Sequence, residues 1–294
     1  MQTMTYGEVN PHIIGVVMKE AVRRAIKAIR SQRFVFEATA KVGYSGNLDD
    51  LVTSADLEAQ AIYLRMFSEC FPLFGIVAEE KGLRIECRLP GLNIYFTVDP
   101  LDGTKAYGRR QSHGIGTMVS LVCEDEVIAA FVGDVMTEEI YGYRPGSTKV
   151  HRISEFDHSE DLTALERRPL REQYVLLRAE LEKHSDFMRP ILHPGEVFKS
   201  IEITGGSIGM SMARLWKGEV GAAVLRPGPN HPWDICPVLG ITRKLGFAFL
   251  KPVLASRFVE FELPVSAETK SVDHDLLVVH SSNLNELAVA DLLA

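Results

Sequence analysis

The sequence predicts a mixed α/β (α+β) fold in which sheets are covered by helices. Two patterns predict it. Between residues 94 and 143, strand-like runs follow one another across short polar turns, as in an antiparallel meander. From residue 174 onward, strand-like and helical runs alternate, which argues for a sheet with helices laid on it. The expected division is an N-terminal α+β part over 1–150, holding the antiparallel sheet and most of the acidic candidates, and a C-terminal α/β part over 151–294.

The elements follow in order. Asn10-Pro11 reads as a helix start, with Ile14, Val17, Ala21, Val22, Ala25 and Ile29 at helical spacing behind it. Gly43, Gly46 and Asn47 mark a flexible loop. Leu51–Asp56 opens a second helix that runs to about Cys70 and is stopped by Pro72. Within it, Thr53 and Asp56 have capping-box spacing. Phe74–Glu80 reads as a short strand ending in two acids. Alternation along a strand would send Glu79 and Glu80 to opposite faces, so at most one enters a given site. Residues 93–98 form a strand that must end in a turn at Pro100. The meander follows at about 114–123, 127–135 and 139–143, and Pro145-Gly146 closes it. Residues 151–172 read as a polar linker with a short helix. Strands at 174–178, 199–204, 220–225, 246–250 and 275–280 then alternate with helical pieces near 181–190, from Ser207 to Trp216, from Trp233-Asp234 to about Lys244, and from about Asn283.

Composition narrows the function. The chain has 294 residues, 46% hydrophobic and 24% charged, enough for a sizeable core. The net charge is −7 and no basic run or basic-aromatic interleaving occurs, which argues against a nucleic acid polymer as partner. An anionic ligand would need local cations to invert the sign of the field. The four cysteines form no C-x-x-C pair and the histidines are not spaced for zinc, so the cysteines read as small buried hydrophobes in a reducing, cytoplasmic setting. No signal-like segment and no apolar run of about 18 residues is present, so neither secretion nor membrane insertion is expected.

The chemistry concentrates on Val98-Asp99-Pro100-Leu101-Asp102-Gly103-Thr104. Two acids sit on one stiff turn, followed by a glycine and a hydroxyl. Such a turn suits a hard divalent cation with an anion beside it. The plainer reading is an Asx-type turn satisfying local backbone. Asp56, Glu79 and Asp234 also stand at turn or terminus positions where side chains can converge. Asp56 alone reads as a helix-capping acid or as a base that orients water.

Together these pieces resemble the inositol monophosphatase superfamily of magnesium-dependent, lithium-sensitive phosphomonoesterases. Asp99–Thr104 carries the likeness, with Ala78-Glu79-Glu80 upstream, Trp233-Asp234 downstream, Asp50–Asp56 as a first motif and Gly206-Ser207 as a Gly-Ser segment. The resemblance implies a layered αβαβα sandwich and a homodimer. It also implies two or three Mg2+ ions and a small phosphorylated metabolite as substrate. Glu79, Asp99 and the Leu101 carbonyl would hold one ion; Asp99, Asp102 and Asp234 would hold a second. Asp56 and Thr104 would orient and deprotonate the attacking water. The amides of Gly103 and Thr104 would cradle the phosphate, with Gly206 and Ser207 nearby and the C-terminal part shaping the leaving-group pocket. Pro227 stands where inositol-specific members have a glutamate that contacts inositol hydroxyls, which weighs against inositol phosphate. Thr104-Lys105 resembles the 3′(2′),5′-bisphosphate nucleotidase branch, where Lys105 would stand beside a second phosphate.

Two rival readings stand beside this one. Gly205-Gly206-Ser207-Ile208-Gly209 fits the nucleophile elbow of an α/β-hydrolase, with Asp234 and His274 or His280 following in order. A non-catalytic, ligand-binding member of the same fold is the other.

Overall fold

The computed structural model describes residues 9–41, 50–163, 168–254 and 257–289. Helix α1 (Pro11–Gln32) begins where the Asn10 side chain accepts a hydrogen bond from the His12 amide at 2.8 Å, with Pro11 in the first turn. Its face of Ile14, Met18, Val22, Ile26 and Ile29 is buried. Strands β1 (Ala38–Lys41) and β2 (Asp50–Thr53) pair as an antiparallel ribbon. Leu51 and Val52 therefore lie in a strand rather than opening a helix. Helix α2 (Ser54–Cys70) starts one step later, on the capping box that Thr53 and Asp56 form. The loop expected around Gly43, Gly46 and Asn47 lies outside the described residues.

The first sheet contains β3 (Gly75–Ala78), β4 (Arg84–Ile85) and β5 (Ile94–Asp102). After the short helix α3 (Thr104–Gly108) come β6 (Gly116–Cys123), β7 (Glu126–Asp134), β8 (Ile140–Tyr143), β9 (Val150–Ile153) and β10 (Ser159–Leu162). The order is β10-β9-β8-β7-β6-β5-β3-β4, and only β3 and β5 run parallel. The expected linker over 151–172 thus contributes β9 and β10 to this sheet before a 3-10 turn at Leu170–Glu172. Pro100 does not end β5. The register against β6 shifts between Asp99 and Asp102, and in that irregularity a residue without an N–H breaks no ladder bond.

The second sheet is assembled from β11 (Tyr174–Leu177), β12 (Ser200–Ile203) and β13 (Ala222–Leu225), with α4 (Arg189–Leu192) and α5 (Ile208–Trp216) between them. Strand β14 (Gly228–Asn230) and helix α6 (Pro232–Lys244) follow, then β15 (Phe247–Leu254), β16 (Arg257–Glu260), β17 (Lys270–Val272), β18 (Leu276–His280) and β19 (Ala288–Val289). The sheet order is β12-β11-β13-β18-β15-β16-β19, and β14 pairs with β17 in a separate ribbon. The helical piece expected near 181–190 is a 3-10 turn at Leu181–Lys183 plus α4. The closing helix expected from Asn283 is a 3-10 turn at Ser281–Glu286 followed by β19, and it starts where the His280 ring accepts from the Ser282 amide.

Strand alternation sorts the apolar side chains into three layers. Ile94, Phe96, Val98, Val119 and Leu121 face α1 and α2, where Phe67 stacks on Phe96 at 4.1 Å between ring centroids. Tyr95, Met118 and Val122 face the other way, meeting α5, α6 and the residues Ala223, Leu225, Leu276 and Val278 of the second sheet. Ala222, Val224, Leu277 and Val279 cover the far side with Met188, Ile191, Leu192 and Phe198. Helix, sheet, helix pair, sheet and helix stack in that order, which is the expected αβαβα sandwich. Among the described residues no helix is long and apolar enough to cross a membrane. The cysteines are free thiols; Cys123 and Cys236 are buried as expected, whereas Cys87 is half-buried and Cys70 exposed.

The halves meet at a glycine contact. Gly103 has φ +92, and a Cβ there would collide with the Gly114 carbonyl and stand 2.8 Å from the Ser207 amide. That amide donates to the Gly114 carbonyl at 2.9 Å. Gly103→Ala is expected to destabilise the protein by more than about 2 kcal/mol, combining a left-handed backbone with a backbone clash. Gly91→Ala, at φ +72 with nothing within 4 Å of its Cβ, is expected to cost about 1 kcal/mol. Urea denaturation of the two variants checks the difference, and equal costs would show that the contact is not tight.

Candidate active site

Strand β5 delivers Asp99 and Asp102 across its register shift, and the first turn of α6 delivers Asp234. One carboxylate oxygen from each lies within 4.8 Å of the others. Asp99 is 2% exposed and Asp102 is 7% exposed. Asp99 and Asp234 share a hydrogen bond, yet Asp99 Oδ1 is buried with no hydrogen-bond partner. Burial and the neighbouring acids Glu79, Asp102 and Asp234 push the Asp99 carboxyl well above its usual range. Burial, then Asp102, pushes Asp234 up to about 7.

Glu79, at the end of β3, is a charged neighbour of Asp99 and Asp234 but lies outside the group of three converging carboxylates. Its amide donates to the Val98 carbonyl at 3.1 Å, but its own φ of −63 and ψ of −55 have left the strand. Alternation therefore no longer applies, and Glu79 and Glu80 meet on one cation. Lys41 Nζ stands 3.0 Å from Glu79 Oε1 and 2.7 Å from Glu80 Oε1. Gln60 on α2 fixes the bend, accepting from the Glu80 amide at 2.9 Å and donating to its carbonyl at 3.0 Å. Burial pushes Glu79 up to about 8, with Lys41 opposing and Asp234 adding to the rise.

Asp56 is fully buried. It accepts from the Thr53 amide at 2.7 Å and from the Thr53 hydroxyl, and its Oδ1 is 3.2 Å from Thr104 Oγ1. Thr104 Oγ1 is also 3.0 Å from the Leu101 carbonyl, so its single proton has two acceptors to choose between. Burial pushes Asp56 up to about 6. The capping reading and the site reading of Asp56 therefore coexist: one oxygen serves the helix and the other faces Thr104. Gly103 caps α3, and the Lys105 side chain is exposed at its start.

Asp102 has a further bond set that sequence reasoning missed. It accepts from the Ser207 hydroxyl, from the Ile208 amide at 3.1 Å and from the Gly209 amide at 2.8 Å. A carboxylate at the positive end of a helix is favourable, and here it ties β5 to α5. Ser207 Oγ also accepts from the Met210 amide at 2.9 Å. His274 binds Asp273, and His280 accepts from the Ser282 amide. Neither imidazole partners Ser207, so the nucleophile-elbow arrangement does not form.

Lys41, Gln60 and Arg178 were not found from the sequence. Arg178 follows β11 and donates from Nη2 to the Gly206 carbonyl at 2.6 Å. Burial lowers its pKa, while Asp102 and Asp234 oppose the fall. The available signal was slight: a basic residue at the end of an apolar strand-like run. The donor set as a whole is hard carboxylate oxygen, with one buried oxygen lacking a partner, and it fits a divalent cation.

The chain matches the family model described as the inositol monophosphatase family over residues 13–285. It is 31% identical over 99 residues to a protein called Nus factor SuhB from Vibrio cholerae, a stretch that spans 34% of this chain and only 36% of that relative. Its fold is similar to that of extragenic suppressor protein suhB from Bartonella henselae, with TM-score 0.69 and 16% identity, covering 93% of this chain and 96% of the other. It is also similar to an IMPase/NADP phosphatase complexed with Mg2+ and phosphate, with TM-score 0.64 and 15% identity, covering 94% and 95%.

The raised carboxyls give a pH dependence of definite sign. Asp56, Glu79 and Asp234 bind their protons more tightly in the folded than in the unfolded chain. Their contribution is therefore favourable at low pH and is lost as pH rises from about 4 through about 8. In chelator, the melting temperature is expected to be lower at pH 8 than at pH 5.5, and added Mg2+ should recover more at pH 8. A melting temperature that rises over this range would rule out the crowding described.

Proposed function

We propose that this chain, which belongs to the inositol monophosphatase family, hydrolyses a small phosphomonoester with magnesium as its cofactor. The observation that carries the proposal is the partnerless, buried oxygen of Asp99 in a cluster with Asp102 and Asp234, brought together from β5 and α6. The similar fold solved with Mg2+ and phosphate supports it.

On this reading Glu79, Asp99 and the Leu101 carbonyl would hold one ion, and Asp99, Asp102 and Asp234 would hold a second. Bound there, magnesium would supply the charge that activates water and neutralises the leaving oxygen. Asp56, at about 6, accepts the water's proton near neutral pH, and Thr104 orients the water through its hydroxyl. The amides of Gly103 and Thr104 face the phosphate, with Lys105, Gly206 and Ser207 on the substrate side. Ser207 acts by holding Asp102 rather than as a nucleophile. The C-terminal part beyond β10 would shape the leaving-group wall around Asp234. Lithium sensitivity, a homodimer and a cytoplasmic location belong to the same proposal. A second reading, a ligand-binding member without turnover, draws on the Vibrio relative, which bears the name of a Nus factor.

Asp99→Asn is expected to abolish phosphate release while the fold is kept, since both ions share that side chain. Near-normal release at saturating Mg2+ would overturn the metal assignment. Thr104→Ala is expected to slow turnover by roughly 10²-fold, the range for lost acid–base assistance. The substrate branch is read by phosphate release, with and without Mg2+, from 3′-phosphoadenosine 5′-phosphate, inositol 1-phosphate, fructose 1,6-bisphosphate and histidinol phosphate. Mg2+ binding in calorimetry with no release from any of them would favour the second reading.

A further inference from the structure

Arg178 stands just beyond β11, where the C-terminal ends of the parallel strands β11, β12 and β13 lie side by side. Ligands of α/β sheets gather at that edge. One end of its guanidinium is anchored, since Nη2 donates to the Gly206 carbonyl at 2.6 Å. Its Nε is buried and meets no acceptor. Among the described residues, no carboxylate forms an ion pair with it. A buried guanidinium donor is unfavourable to leave unmatched, and the group has only donors to offer. The species that completes it must therefore bring acceptor oxygens.

The chain around Arg178 says which part of a substrate could bring them. Gly206 precedes Ser207, whose hydroxyl donates to Asp102. Arg178 is thus one turn of chain behind the Asp102 side of the acid cluster, whereas Asp56 and Thr104 meet each other on elements of the first half. In an in-line displacement the water and the leaving oxygen are on opposite sides of the phosphorus. With Asp56 and Thr104 on the water side, Arg178 belongs to the leaving side.

We propose that Arg178 is a specificity-determining residue that binds a second anionic group, a phosphate or carboxylate, carried by the leaving group of the substrate. This rests on the phosphomonoesterase reading above. A guanidinium matches such oxygens better than it matches a polyol, because its planar fork offers charged donors in pairs. It also supplies the local positive charge that a protein of net charge −7 must provide for a second anion to approach an acid cluster.

The test is calorimetric binding with Ca2+ in place of Mg2+, a cation that fills oxygen sites with looser geometry. Two matched pairs serve as probes: glycerol 2-phosphate with 2-phosphoglycerate, and adenosine 3′-phosphate with adenosine 3′,5′-bisphosphate. The unmodified protein is expected to prefer the doubly anionic member of at least one pair by about tenfold. Arg178→Met should remove that preference and leave the singly anionic member within about threefold, and Arg178→Lys should retain part of it. No preference in either pair overturns the proposal. Equal weakening of both members also overturns it, because that is what a purely structural hold on Gly206 would give. If the Met variant does not fold, the Lys variant decides, and an undiminished preference overturns the proposal. Phosphate release from the same compounds in Mg2+ is measured in parallel. Discrimination without release supports the role of Arg178 and overturns the phosphatase reading; release without discrimination does the reverse.

Discussion

Like charges held together out of water are the constraint around which this molecule is built. Asp99, Asp102, Asp234 and Glu79 come from β5, the start of α6 and the end of β3, and burial pushes Asp99, Asp234 and Glu79 toward their neutral forms. The surroundings offset this in three ways. Lys41 sits across Glu79 and Glu80. The amides of Ile208 and Gly209 and the Ser207 hydroxyl point at Asp102. Arg178 places a buried positive charge beside Asp102 and Asp234. Among the described residues, Asp99 is the one of these acids with a fully buried oxygen that meets no hydrogen-bond partner, and Glu79, Asp102 and Asp234 are its charged neighbours.

Legibility in the sequence follows the range of the interaction. Caps are local, and Asn10, the Thr53–Asp56 box and Ser207 each start a helix where the residues say they should. The apolar alternation that separates the three core layers is local too, so the meander and the later alternation could both be seen. Two local rules failed because a neighbouring element overruled them. Pro100 continues β5 because the register against β6 shifts there, and Glu79 and Glu80 share a face because Gln60 on α2 bends the chain between them. The short strands β1, β4, β16 and β19 carry too few residues for alternation to register. Lys41 reaches the acids only because β1 pairs with β2, and Arg178 reaches Gly206 only because β11 lies beside β12. Neither proximity has a trace in spacing along the chain.

The acidic turn of the candidate site is visible in the sequence because its motif is local. Carboxylates, a turn proline and a glycine at fixed spacing are written within a few residues. The cations that balance them lie far away in sequence and at no fixed distance. Asp99, Asp102, Gly103 and Thr104 fall in one contiguous run, whereas Asp56, Glu79, Asp234 and the cations beside them do not.

The bond set of Asp102 has a consequence for the order in which the chain is made. Every acceptor bond it forms with α5 involves residues that leave the ribosome more than a hundred positions after it, and Asp234 follows later still. Until that stretch emerges, the first half carries its acids without the helix end that receives Asp102. The nascent N-terminal half therefore presents an anionic turn whose helix-end donors come only with α5, while β13, α6 and β15–β19 follow later still.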